Sequence, residues 1–68
     1  IEASVTIKVY DILGSEIKTL LNDNLKSGEH EIVWRGTDDN GNNVSSGIYI
    51  IKMISGNFNK SIKTVMMK

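Results

Sequence analysis

The chain has no cysteine, no proline and a single histidine, and only four of its 68 residues are aromatic. Without cysteine there is no disulfide framework and no thiolate metal site, and the redox compartment is left open. Eight basic and eight acidic residues cancel, which removes the electrostatic footprint that nucleic acid or an anionic membrane would require. The basic residues are dispersed singly, apart from a loose group of Lys60, Lys63 and Lys68. No apolar run approaches the ~20 residues of a membrane-spanning helix, and no stretch reads as a signal peptide. Ile1 is not a natural start, so the expectation is one small domain, residues 1–68, belonging to a larger parent protein. A chain this short hides only about 60% of its unfolded surface. Its core is therefore expected to need help from a neighbouring domain, a further strand or a second copy.

What is present is strand periodicity and turn chemistry. Val5, Ile7 and Val9 alternate with Thr6, Lys8 and Tyr10 over a first strand. Asp11-Ile-Leu-Gly14 follows as a turn in which the aspartate caps a backbone amide and glycine takes the left-handed position. Glu16 to Leu21 fits a short strand, although Ile17, Leu20 and Leu21 also match helical spacing. Six residues are too few for a stable isolated helix, which favours the strand. Asn22 to Gly28 reads as a loop with Leu25 dipping into the core. His30 to Arg35 alternates as a half-buried strand carrying Ile32 and Trp34.

The loop from Gly36 to Gly47 then turns on Asn40-Gly41, a dipeptide suited to φ > 0 at two successive positions. Ile48 to Ile54 is rich in β-branched residues and reads as a strand buried on both faces for much of its length. Ser55-Gly-Asn57 predicts a short hairpin turn into a last strand from Phe58 to Met67. There the apolar face changes between Ile62 and Val65, which suggests a bulge. Five or six strands without intervening helices predict an all-β antiparallel sandwich or a small open barrel.

Little in this inventory carries chemistry. His30 with Asp38 or Asp39 and a serine is an arithmetical triad without a nucleophile elbow, and the bland reading is an exposed histidine at a strand start. Asp38 to Asn43 offers alternating oxygen ligands. Its glycine falls at the fourth position rather than the sixth, however, and Tyr49 stands where a calcium loop closes with a bidentate glutamate. Asx residues building their own turns explain it better. Trp34 and Tyr49 suit core packing better than a sugar-stacking platform. Asn43-Val-Ser45 and Asn59-Lys-Ser61 match a glycosylation triplet too short to carry weight. No catalytic residue, cofactor or metal site is expected.

The ordered series Val9-Tyr-Asp-Ile-Leu-Gly14, Leu25-Lys-Ser-Gly-Glu-His30, Trp34-Arg-Gly-Thr-Asp-Asp-Asn-Gly41, Val44-Ser-Ser-Gly-Ile-Tyr49 and Gly56-Asn-Phe58, with Lys63 and Val65, resembles the C-terminal sorting domain of type IX (Por) secretion. It is similar in the same positions to the immunoglobulin-like domain of the flagellar hook-capping protein. The resemblance spans residues 5 to 68. It implies a small immunoglobulin-like antiparallel β-sandwich at the C-terminus of a secreted or bacterial cell-surface protein, with its first, proline-containing strand either missing here or replaced by another element.

By the same resemblance Asp11 and Gly14 occupy the first turn, Trp34, Gly36, Asp38 and Gly41 the central loop, and Gly47 and Tyr49 the start of the next strand. Lys63, Val65 and Lys68 fall in a C-terminal strand that a secretion machine would read. The missing strand implies an open sheet edge, to be completed by a second copy in a homodimer or by a domain of the parent. Three functions follow from these readings: a sorting tag directing export and surface attachment, a structural assembly or spacer module, and a carbohydrate- or calcium-binding module. The resemblance favours them in that order.

Overall fold

A computed structural model describes residues 2–26 and 32–67. The alternation of Val5, Ile7 and Val9 produces the first strand, β1 (Glu2–Asp11), and places Ile7 and Val9 in the core at 5% and 0% exposure. Asp11 then reverses the chain. Its carbonyl accepts the amide of Gly14, its own amide reaches the carbonyl of Ser15, and its Oδ1 accepts the amides of Leu13 and Ser15 at 2.9 Å each. Gly14 takes φ 91°, the one residue of the turn that needs the left-handed region.

The strand favoured for Glu16 to Leu21 is present and runs further, as β2 (Glu16–Lys26). Two register shifts, between Ile7 and Lys8 and between Val9 and Tyr10 of β1, leave Leu20 and Ile17 as extra residues on β2. Each shift is a β-bulge that resets which face the following residues occupy. This is the physical origin of the spurious helical spacing of Ile17, Leu20 and Leu21. The loop expected from Asn22 is corrected: Asn22, Asp23 and Asn24 pair with Thr6, Val5 and Ser4. Asparagine and aspartate disfavour strands, but the length of β1 offers a ladder that outweighs local preference. Leu25, opposite Ala3, is half-buried.

The remaining strands are β3 (Gly47–Ser55) and β4 (Phe58–Met66), joined through Gly56-Asn57. Gly56 at φ 58° and the pairing of Ser55 with Phe58 give a two-residue hairpin with positive φ at its first central position only. The expected bulge in β4 is absent, since its register with β3 is unbroken from Gly47↔Met66 to Ser55↔Phe58. A strand at the sheet edge with both faces open needs no constant apolar face, and Phe58, Ile62 and Val65 are 54%, 52% and 61% exposed.

The all-β antiparallel expectation is met by one four-stranded sheet in the order β2-β1-β3-β4. The expected count of five or six strands is corrected to these four among the described residues, because residues 32–35 join no ladder. The Trp34 side chain bonds within its own segment instead, its indole donating to the carbonyl of Thr37. His30, expected at the start of that strand, lies outside the described residues. The molecule measures 38 × 20 × 18 Å. Its radius of gyration of 12.5 Å exceeds the ~11 Å of a compact chain of this length, the signature of an elongated sheet with a thin core.

Candidate functional site

The connection between β2 and β3 repeats the turn chemistry of Asp11. The carbonyl of Asp38 accepts the amide of Gly41, its amide donates to Asn42, and its Oδ1 accepts the amides of Asn40 and Asn42, again at 2.9 Å each. Aspartate at the first position and glycine at the fourth therefore build one turn twice. Only Gly41, at φ 83°, is left-handed, so the expected pair of positive φ values at Asn40-Gly41 is corrected to one. A type I turn followed by a left-handed glycine needs no second. The carboxylate of Asp38 is thus engaged as an Asx turn, and among the described residues no three acidic or histidine side chains converge to hold a metal.

This turn is docked on β2. The amide of Asp39 donates to the carbonyl of Ile17 at 3.2 Å, its Oδ1 accepts the amide of Thr19 at 3.1 Å, and the Lys18 ammonium reaches the carbonyl of Asp38 at 3.4 Å. The free edge of β2 is therefore latched at Ile17 to Thr19. Nothing local in the sequence marks Asp39 for this role, although the repeated Asp-x-x-Gly was a legible sign that the loop is built rather than loose.

Trp34 and Tyr49 meet edge to face, with ring centroids 5.1 Å apart and planes at 66°. The indole Nε1 donates to the carbonyl of Thr37 at 2.9 Å, and the Tyr49 hydroxyl donates to the carbonyl of Ser45 at 2.6 Å. The latter bond is of the tyrosine-corner kind found in immunoglobulin-like sandwiches. Tyr49 is buried at 6% exposure and Trp34 is half-buried against it, and both polar tips are satisfied. Gly36 is buried with φ 76°, and its carbonyl accepts the amide of Val44. The structure thus gathers Trp34, Gly36, Asp38, Gly41, Gly47 and Tyr49 around one connection, while Asp11 and Gly14 lie in the separate β1–β2 turn.

Of the residues expected to be read by a partner, Lys63 and Val65 share one face of β4, opposite Ile50 and Ile48, and both are exposed. Lys68 lies outside the described residues. Lys60, on the other face, was not singled out for this role. It lines a cleft of ≈ 220 Å³ with Ile62, Trp34 and the central-strand residues Ile7, Ile51 and Met53.

The charges are distributed unevenly. All eight acidic residues fall within residues 1–39, and residues 40–68 carry Lys52, Lys60, Lys63 and Lys68 with no acidic residue. Lys8 pairs with Glu16 at 3.0 Å, and that hydrogen bond and charge hold the Lys8 ammonium above its ordinary 10.5. Lys52, Lys60 and Lys63 form no ion pair among the described residues.

No helix among the described residues is long and apolar enough to cross a membrane. Neither the curated proteins nor the solved structures give a significant match to the chain. A family model does match, that of the FlgD Ig-like domain, over residues 2–57. That span takes in both Asp-x-x-Gly turns, the Trp34–Tyr49 pair and three complete strands, and the chain belongs to the FlgD Ig-like domain family.

Proposed function

We propose that this chain is a non-catalytic assembly module, exposed outside the cell in a protein of the flagellar hook-cap type. The observation that carries the reading is the family match over residues 2–57. The site geometry supports it, because the side chains that chemistry would need are consumed in architecture. Asp11 and Asp38 hold turns, Asp39 holds a strand edge, and Trp34 and Tyr49 hold each other. An immunoglobulin-like sheet hosts many functions, so the assignment rests on the family and not on the fold.

The sorting role has no comparable support. The family match favours the structural module over the export tag that the motif series alone placed first. In this reading Lys63 and Val65 contribute to contacts between proteins and are not an address for a secretion machine.

The test separates the two roles. Residues 2–67 are deleted from the protein that carries the chain, and its export and its incorporation into the surface assembly are measured together. The expected result is normal export with incorporation lost. Retention of the truncated protein inside the cell would overturn the assembly reading in favour of the sorting one.

A further inference from the structure

The two edges of the sheet are treated differently. The edge of β2 is latched by Asp39 at Ile17 to Thr19, whereas no described residue covers the edge of β4. β4 is nine residues long and regularly paired on its inner side, so its outer side presents an unbroken row of amides and carbonyls. Such an edge accepts an added strand through main-chain hydrogen bonds, with side-chain contacts setting the choice of partner.

The side chains state the choice. Lys60 lies on the cleft face beside Ile62, and Lys63 lies on the opposite face with Val65, near Lys52 of β3. A lysine turned toward an apolar face of an edge strand discourages indiscriminate pairing. A second β4 would bring the same lysines and no counter-charge. A carboxylate arriving opposite each lysine converts the obstacle into an ion pair, so the charge selects the partner as well as attracting it.

We propose that the free edge of β4 receives an extended acidic segment of another protein, paired antiparallel, with carboxylates opposite Lys60 and Lys63 and apolar side chains opposite Ile62 and Val65. The incoming strand then reads apolar-x-acid-apolar-x-acid. Its acids stand three residues apart and so reach opposite faces of the sheet. One apolar residue enters the cleft beside Ile62 and Trp34. The inference rests on the assembly reading and adds the chemistry of the partner.

The test uses the 68-residue chain and a fluorescent peptide containing Val-Thr-Glu-Val-Thr-Glu, a counterpart with lysine for glutamate, and two versions of the first N-methylated on alternate residues. The expected result is binding of the glutamate peptide at least about tenfold tighter than the lysine peptide, weakened by salt, with amide shifts centred on β4. One of the two methylated sets should abolish it. Lys60→Glu should cancel the preference between the two charged peptides, and Lys60→Gln should weaken it. Both substitutions fall at an exposed position, and amide spectra of the free variants verify the fold.

Equal binding of both charged peptides, tolerance of both methylation patterns, or shifts centred on β2 would overturn the proposal. So would self-association of the chain through β4 that displaces the peptide, which would make a second copy the occupant. Failure here leaves the deletion experiment on the whole protein untouched, so the two readings fail separately.

Discussion

The same turn occurs twice in different settings, and the difference between them isolates the latch on β2. Asp11→Ala and Asp38→Ala each remove an Oδ1 that accepts two amides at 2.9 Å. Water replaces part of each bond at these sites, so the shared cost is about 1 kcal/mol. The Asp11 turn joins strands that are already paired, and the loss ends there. The Asp38 turn also carries Asp39 to Ile17 and Thr19 and offers its carbonyl to Lys18, three further bonds that depend on the loop holding its shape. Losing these adds about 1–2 kcal/mol. Asp38→Ala is therefore expected to cost roughly 2–3 kcal/mol against ~1 for Asp11→Ala, a gap of about 4–16 °C in melting temperature for a domain of this size. Thermal melts followed by Trp34 fluorescence and circular dichroism measure the gap. Hydrogen exchange at the Thr19 amide locates it, with protection lost in Asp38→Ala and kept in Asp11→Ala. Equal destabilisation of the two variants, with Thr19 equally protected, would refute the latch.

Tyr49→Phe keeps the edge-to-face ring contact and removes only the 2.6 Å bond to Ser45, so chemical denaturation should show a loss of about 1 kcal/mol. Gly41→Ala meets no atom within 4 Å, which leaves backbone strain at φ +83° as its whole effect, about 1 kcal/mol by the same measurement. Lys8 has its pKa raised by Glu16, first through the hydrogen bond and then through charge. A raised lysine stabilises the fold while it is protonated in both states. That contribution is complete below the ordinary 10.5 and fades as pH climbs above it. The difference in melting temperature between the native chain and Lys8→Met should therefore be constant through neutral pH and shrink above that value; growth of the difference in alkali would contradict the pairing.

Where local chemistry and global position agree, the sequence was readable. β1 follows from strict alternation, the Asp11 turn from an Asx cap and a left-handed glycine, and the Gly56-Asn57 hairpin from its glycine. The failures have a common cause in long-range pairing. Asn22 to Asn24 look like a loop and become strand because β1 is long enough to pair with them. Ile32 to Arg35 look like strand and join no ladder; the Trp34 indole instead bonds the carbonyl of Thr37 and its ring packs on Tyr49. Bulges at Ile17 and Leu20 blur a strand into a helical spacing. Asp39 was visible only as one of two adjacent acids, since its partner Thr19 is twenty residues away.

The function was less legible than the fold for a different reason. The sorting and hook-capping families share the turn and core motifs, so those residues describe a common scaffold. Outside those motifs the sequence separates lysine from acid, with all eight acidic residues within residues 1–39.

The most direct measurement is made in the cell, on the protein that carries this chain with Lys60→Glu and Lys63→Glu together. Both side chains are exposed and unpaired among the described residues, so the fold survives and only the edge changes sign. Quantifying the exported and the assembled fractions in one experiment should show export unchanged and assembly reduced. Undiminished assembly would contradict the β4 edge as the docking surface, and a variant held back inside the cell would contradict the assembly reading.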